Sequence, residues 1–237
     1  GILRMIKYLT RILLLYDNAF AKPLVFSVLL VFSFNLTFAE DLGWDYVPSK
    51  IGARYTYTIK IKSGNTNSNS KLVKYIVNCK DNQKDCIQEV KLSNNKNNIL
   101  YSSSELTPTN KGVNSIENTS NSSFKYSDGI YLPKKIVFDK PIKSESNIKT
   151  VKGNIIKYKE IDSYSKIKSI KLNSNIYKSC IIENVSSSSS NGIKTSSKTT
   201  YCKNIGLIKT NNTAYFKDGA KAESTTKLIK IDYPFSK

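Results

Sequence analysis

The chain contains no histidine. That removes Ser-His-Asp and Cys-His nucleophilic machinery, and every imidazole metal ligand, in one step. The residues left with chemical potential are carboxylates and cysteines. Glu160 and Asp162 are two apart, so on a strand they share a face and could do acid-base work. Asp81 and Asp85 flank a turn. Each pair, however, sits among lysines (Lys157, Lys159 and Lys166, or Lys80 and Lys84), which is the pattern of a solvated surface. No nucleophile, base and orienting partner assemble, and no glycine-rich phosphate loop occurs. The chain reads as non-catalytic and cofactor-free, with a carboxylate-based hydrolase as the alternative.

Cys79, Cys86, Cys180 and Cys202 are the four cysteines. Zinc ligands come in pairs two to four residues apart, and this spacing, with no histidine, does not fit; no metal is expected. An even cysteine count suits a disulfide framework in an oxidising compartment. The pairing follows from the strands that must carry it. Asn191-Gly192, a pair tolerant of positive φ, lies in a Ser-rich tip between two runs rich in β-branched and aromatic residues, Ile176 to Val185 and Lys194 to Ile208. Placing Cys180 opposite Cys202 centres that hairpin on Asn191 and sets Ile181 against Tyr201 and Tyr177 against Ile205. Directly opposed cysteines at a non-hydrogen-bonded pair come within disulfide reach. A Cys79–Cys86 bond likewise centres a turn between Asn82 and Gln83 and sets Val77, Tyr75 and Val73 against Gln88, Val90 and Leu92.

Elsewhere the period is two. After Pro48 and Gly52, residues Tyr55, Tyr57, Ile59 and Ile61 alternate with Arg54, Thr56, Thr58, Lys60 and Lys62, as in a half-buried strand. A polar tip from Ser63 to Ser70 reverses the chain. Ser93 to Ser123 reads as a long polar loop with one short strand at Ile99 to Tyr101. Asp128-Gly129 reads as a two-residue hairpin turn. Pro133 and Pro141 bracket an edge strand or extended connection. Further strands are predicted at Ile155 to Ile161, Tyr164 to Leu172, Thr213 to Lys217 and Thr226 to Tyr233. No amphipathic helix exceeds two turns. The expected fold is mainly β, an antiparallel meander of about nine to eleven strands, as an open half-barrel or a two-sheet sandwich.

At the start, Arg4, Lys7, Arg11 and Lys22 precede an apolar run from Leu24 to Phe34, and Thr37-Phe38-Ala39 places small residues at a cleavage site. The stretch to Ala39, about 16 residues, falls short of the roughly 20 that span a bilayer. Residues 1–39 are therefore read as a signal peptide, with a retained anchor as the alternative, and residues 40–237 as one β-rich domain. The formal charge is +19. Only Arg4, Arg11 and Arg54 are arginine, and the lysines are dispersed among Asn, Ile and Ser, so a nucleic-acid partner is not expected; an anionic membrane surface is compatible with the charge.

Several fragments in order resemble a group of exported bacterial proteins of unassigned activity. These are Tyr46, Pro48, Gly52, Tyr55 and Tyr57 at the opening, Asp128, Gly129, Leu132 and Pro133 in the middle, and Tyr177, Cys180, Tyr201, Ile205, Gly206, Leu207, Ile208 and Lys209 at the close. The group is similar in outline to the half-barrels of lipoprotein carriers, which hold acyl chains in a concave sheet. Tyr55 stands where a Trp is usual, and no lipid-attachment cysteine follows the leader. The resemblance implies a periplasmic or secreted protein of the bacterial envelope, with a lipid or an envelope protein as partner.

Two functions fit. One is a non-catalytic binding protein that holds an apolar or amphipathic ligand, or a lipidated partner, on a concave sheet. Tyr55, Tyr57, Ile59 and Tyr75, beside Val73 and Val77, supply its apolar face, and Lys60 and Lys62 meet an anionic head. The other is a structural or interaction protein of the envelope whose sheet is filled by its own side chains. A cavity and a packed core are lined by the same residue types, so sequence leaves both open.

Overall fold

The computed structural model describes residues 40–80, 84–94, 99–119, 122–149 and 155–234. The proposed leader, residues 1–39, and Asp81 with the turn expected between Asn82 and Gln83 lie outside them. Backbone contacts divide the chain into Gly1–Glu40 and Asp41–Lys237, and the strands described below belong to the second unit. Among the described residues no helix is long and apolar enough to cross a membrane.

Among the described residues a short 3-10 turn, Gly43–Tyr46, precedes twelve strands: β1 Arg54–Ser63, β2 Thr66–Lys80, β3 Lys84–Asn94, β4 Ile99–Pro108, β5 Gly112–Thr119, β6 Ser122–Pro133, β7 Ile142–Lys149, β8 Ile155–Leu172, β9 Asn175–Ser189, β10 Lys194–Cys202, β11 Gly206–Tyr215 and β12 Lys221–Asp232. They form one sheet in the order β6-β5-β4-β3-β2-β1-β12-β11-β10-β9-β8-β7. Every strand pairing is antiparallel, and each joins strands adjacent in sequence except the junction of β1 with β12 at the centre. The edges β6 and β7 do not pair, so the sheet is open, and the sandwich alternative does not hold.

The two arms of the sheet curl towards each other. One buried cluster joins Leu106, Val113 and Leu132 of the β4–β6 arm to Tyr164, Ile181 and Tyr201 of the β8–β10 arm. A second gathers Tyr55 and Tyr57 with Ile76, Tyr177, Ile208, Leu228 and three of the cysteines. Trp44 packs against both clusters.

Residues 41–47 brace the arms where the sheet is open. Gly43 N–H donates to the Lys134 carbonyl (3.2 Å) and Ile136 N–H to the Asp41 carbonyl (2.9 Å) on one side, while Asn204 N–H donates to the Asp45 carbonyl (2.8 Å) on the other. Asp41 is ion-paired with Lys166 and, at 2.8 Å, with Lys203, and it accepts from the Tyr46 hydroxyl at 3.0 Å. Burial alone would raise the Asp41 carboxyl, but the hydrogen bonds from Lys166, Lys203 and Tyr46 outweigh it and hold the group down at about 2. A Cβ on Gly43 would lie 2.2 Å from the Pro133 carbonyl oxygen, so only glycine admits this approach.

Both disulfides are local: Cys79 pairs with Cys86 and Cys180 with Cys202, and no cysteine is free. The second hairpin has the expected register from the Cys180–Cys202 pair to the tip, with Ile181 opposite Tyr201 and Gly192 at a φ of +88°, but the pairing with β10 ends at the cysteines, so Tyr177 lies opposite Ile170 rather than Ile205. Other readings are corrected. The polar tip from Ser63 to Ser70 is only Gly64 and Asn65, because β2 already begins at Thr66, and the strands expected at Ile155 to Ile161 and Tyr164 to Leu172 are one continuous strand, β8. The run from Lys194 to Ile208 is two strands, because a turn with Asn204 at +60° and Gly206 at +85° folds Leu207 back onto Tyr201. Next to Cys79 the register slips by one: Val77 is extruded in a bulge, so Ile76 faces Gln88 and Tyr75 faces Glu89. The supposed loop from Ser93 to Ser123 contains β4 and β5. Asp128-Gly129 lies inside β6, where Tyr126 to Gly129 bulge opposite the single residue Ser115, and makes no hairpin. The segment between Pro133 and Pro141 is the extended connection expected, bridging Leu42 and Tyr164.

Candidate functional site

The turn between β1 and β2 is two residues, Gly64 and Asn65, so odd positions of β1 pair with even positions of β2. Tyr57 lies opposite Leu72 and Tyr55 opposite Lys74, which puts Leu72 and Lys74, rather than Val73, Tyr75 and Val77, on the face of the tyrosines. From there the register continues through Gln88 to Ser104 and through Cys86 and Leu106 to Ser115. Side chains from β1 to β6 thereby converge on one face, and Leu207 of β11 approaches from the opposite arm.

Between them is a cavity of about 180 Å³ lined by Pro48, Tyr57, Leu72, Lys74, Gln88, Ser104, Leu106, Ser115, Tyr131 and Leu207. Its apolar wall comprises Tyr57, Leu72, Leu106, Tyr131 and Leu207, and Gln88, Ser104, Ser115 and Lys74 supply donors and acceptors. The wall is held from behind. The Tyr57 hydroxyl donates to the Leu207 carbonyl at 3.2 Å, and the Tyr131 ring meets Tyr201 edge-on at 5.9 Å between centroids. The Tyr201 hydroxyl in turn donates to Glu183 at 3.2 Å.

Glu183 is buried and also accepts from the Tyr164 hydroxyl at 2.5 Å. Burial raises its carboxyl and the two tyrosine bonds only partly offset this. Asp162, two residues before Tyr164 on the same face of β8, has one buried carboxylate oxygen with no hydrogen-bond partner. Burial first, then the neighbouring Glu160 and Glu183 charges, push it up to about 7. The pair Glu160 and Asp162 thus belongs to a three-carboxylate patch, and sequence reasoning had no way to add Glu183 to it. Asp85 is the second residue of β3, at a φ of +59° where the pairing with β2 skips it, and it accepts from Thr107 at 2.7 Å.

The residues expected at a ligand face fall in different places. Tyr57 borders the cavity, whereas Tyr55 is wholly enclosed in the core, its hydroxyl without a partner. Ile59 is half-buried farther along β1. Tyr75 is half-buried opposite Arg54. Lys60 and Lys62 are exposed and line an open groove of about 660 Å³ with Asn67, Asn69 and Asn211 at the distal ends of β1, β2, β11 and β12. Leu106, Ser104, Ser115, Tyr131 and Leu207 were missed as site residues. The signal available was the Leu106 and Val113 pair flanking Thr109–Lys111, which marks a hairpin inside the polar stretch.

No family profile matches the chain, and no curated protein matches it. Two solved structures are similar in layout. One, from Parabacteroides distasonis ATCC 8503 and taken to be a lipoprotein, is 13% identical with a TM-score of 0.45 and covers 81% of this chain and 100% of its own. The other, from Bacteroides fragilis NCTC 9343, taken to be exported and described as having a YmcC-like fold, is 9% identical with a TM-score of 0.40, covering 79% and 98%. Neither likeness assigns an activity or a compartment to this chain.

Proposed function

We propose that the protein is a non-catalytic exported binding protein whose sheet receives one short apolar chain, or the end of one, carried by an amphiphile. The cavity between β1–β6 and Leu207 carries this reading: it joins a tyrosine- and leucine-lined wall to Gln88, Ser104, Ser115 and Lys74. At about 180 Å³ it is smaller than the ~300–1,000 Å³ of a pocket for a whole drug-sized molecule, which is why part of a chain, rather than an entire lipid, is the occupant. Export is supported by the leader pattern and by the pairing of all four cysteines. The competing reading, an envelope protein with a self-filled core, draws support from the burial of Tyr55 and from the brace at residues 41–47.

Native mass spectrometry of protein purified from its own envelope, followed by lipid extraction, tests the proposal. An amphiphile should copurify with the wild type and be lost in Ser104→Leu, which fills the cavity. Protein that carries nothing, in wild type and variant alike, would support the self-filled reading instead.

A further inference from the structure

The surface around the loop that enters β1 has a composition of its own. Gly52 N–H donates to the Ile76 carbonyl at 2.8 Å and Ile76 N–H to the Ala53 carbonyl at 3.1 Å, so Ile51 lies beside Val77, the residue extruded by the β2 bulge. Arg54 pairs with Tyr75 on one side and with Asp232 on the other. A Cβ on Gly52 would sit 3.2 Å from Pro234, which brings Tyr233 to the same place. Ile51, Val77 and Tyr233 are 48%, 46% and 47% exposed. The Lys50 ammonium stands 4.5 Å from the Tyr233 ring centre and the Arg54 guanidinium 5.6 Å from that of Tyr75. Two carboxylates lie here: Asp232, which is taken by Lys230 at 2.6 Å, and the exposed Glu89, which is opposite Tyr75 on the far side from Arg54.

We propose that this end of the sheet docks on an anionic lipid bilayer. Ile51, Val77 and Tyr233 enter the boundary between headgroups and acyl chains, and Lys50 and Arg54 rest at the phosphates. The combination favours a bilayer over a folded partner. Ile51 and Val77 are about half exposed, tyrosine suits an interface that is apolar on one side and wet on the other, and long cations stacked on rings keep their charge at the rim. The formal charge of +19 adds a long-range pull towards an anionic leaflet. This surface is separate from the cavity, and the proposal does not depend on what the cavity holds.

The test uses the full chain with vesicles of phosphatidylcholine alone or mixed with phosphatidylglycerol, read by hydrogen–deuterium exchange and co-sedimentation. Exchange locates the contact whether or not residues 1–39 also insert. Residues 49–54 and 75–79 should gain protection with the anionic vesicles only, and Ile51→Asp/Val77→Asp should abolish that protection. In a leader-free form, co-sedimentation of the double variant should fall about tenfold, because partitioning at this depth follows the apolar groups inserted. Both positions are half exposed, so unchanged urea unfolding of the variant confirms that its fold is kept. Three outcomes overturn the proposal. Protection could appear only elsewhere, or binding could be unaffected by the variant. A lipid-free dimer that the variant dissolves would make this face a contact between copies.

Discussion

Asp162→Asn should stabilise the protein at neutral pH and leave it unchanged in acid. In the folded chain the Asp162 carboxyl holds its proton up to about 7, against an ordinary value of 3.8, because burial and the adjacent Glu160 and Glu183 disfavour the charge. Below about 4 the group is protonated in both folded and unfolded chains and contributes nothing. Between about 4 and 7 the folded chain retains a proton that the unfolded chain has released, so stability falls as pH rises through this window. Above about 7 the whole penalty is present. A shift of this size corresponds to at most about 4 kcal/mol. The side chain still touches water, and allowing for solvent screening brings the figure to about 1–2 kcal/mol. Urea unfolding followed by Trp44, the one tryptophan, which packs against both core clusters, measures the effect at pH 4 and pH 7.5. With slopes of about 1–3 kcal/mol per M, the variant midpoint should rise by about 0.5–1 M at pH 7.5 and by nothing at pH 4. An identical pH slope in wild type and variant, or a lower midpoint at pH 7.5, would refute the reasoning.

Three further outcomes are expected. Tyr55→Phe removes a buried hydroxyl with no partner and should leave the unfolding midpoint unchanged or raise stability by up to about 1 kcal/mol; a clear loss in denaturant titration would mean that the hydroxyl meets a bound water or ligand. Gly43→Ala drives a Cβ into the Pro133 carbonyl and should cost about 1–3 kcal/mol, with faster exchange at residues 41–47, whereas Gly64→Ala, which has open space but positive φ, should change stability without that local signature. Replacing both cysteines of the Cys180–Cys202 bond, 22 residues apart, should cost about 1 kcal/mol more than replacing Cys79 and Cys86, 7 apart, by the logarithm of loop length; matched thermal melts of the two double serine variants decide this.

Where turn chemistry and side-chain period agreed, the fold was legible. Cys180 and Cys202, Asn191-Gly192 and the Ile181–Tyr201 pair all specify one register, and the structure has it. Failures cluster where the backbone departs from regular pairing. Nothing in the run from Leu72 to Cys79 announces that Val77 is the extra residue, since Ile76 and Val77 are equally apolar and only packing against the core selects Ile76. Asp128-Gly129 has the composition of a turn, yet here it serves a bulge in β6. Only the first three residues of β4 were legible, and the rest of β4 and all of β5 escaped notice because Ser, Thr and Asn are frequent in them. The cavity is built from side chains on six neighbouring strands and from Leu207 on the far arm, and sequence spacing cannot express a contact between Tyr57 and Leu207, 150 residues apart.

The junction of β1 with β12 has a consequence for how the chain acquires its structure. Each arm is a run of hairpins whose contacts are local, so either can close quickly as a unit, but Tyr55 meets Ile231 only after almost the whole sequence exists. Loop-closure entropy for that pairing is met last, and it places the slow step at the centre of the sheet rather than at its edges. A chain that emerges from its N-terminus must carry β1 with one bare edge, alongside a finished β2, until β12 arrives. An unpaired strand with enclosed tyrosines is a template for other chains. Loss of β12 should therefore cause aggregation out of proportion to its twelve residues, and any factor that holds the newly made chain would act best on the exposed edge of β1.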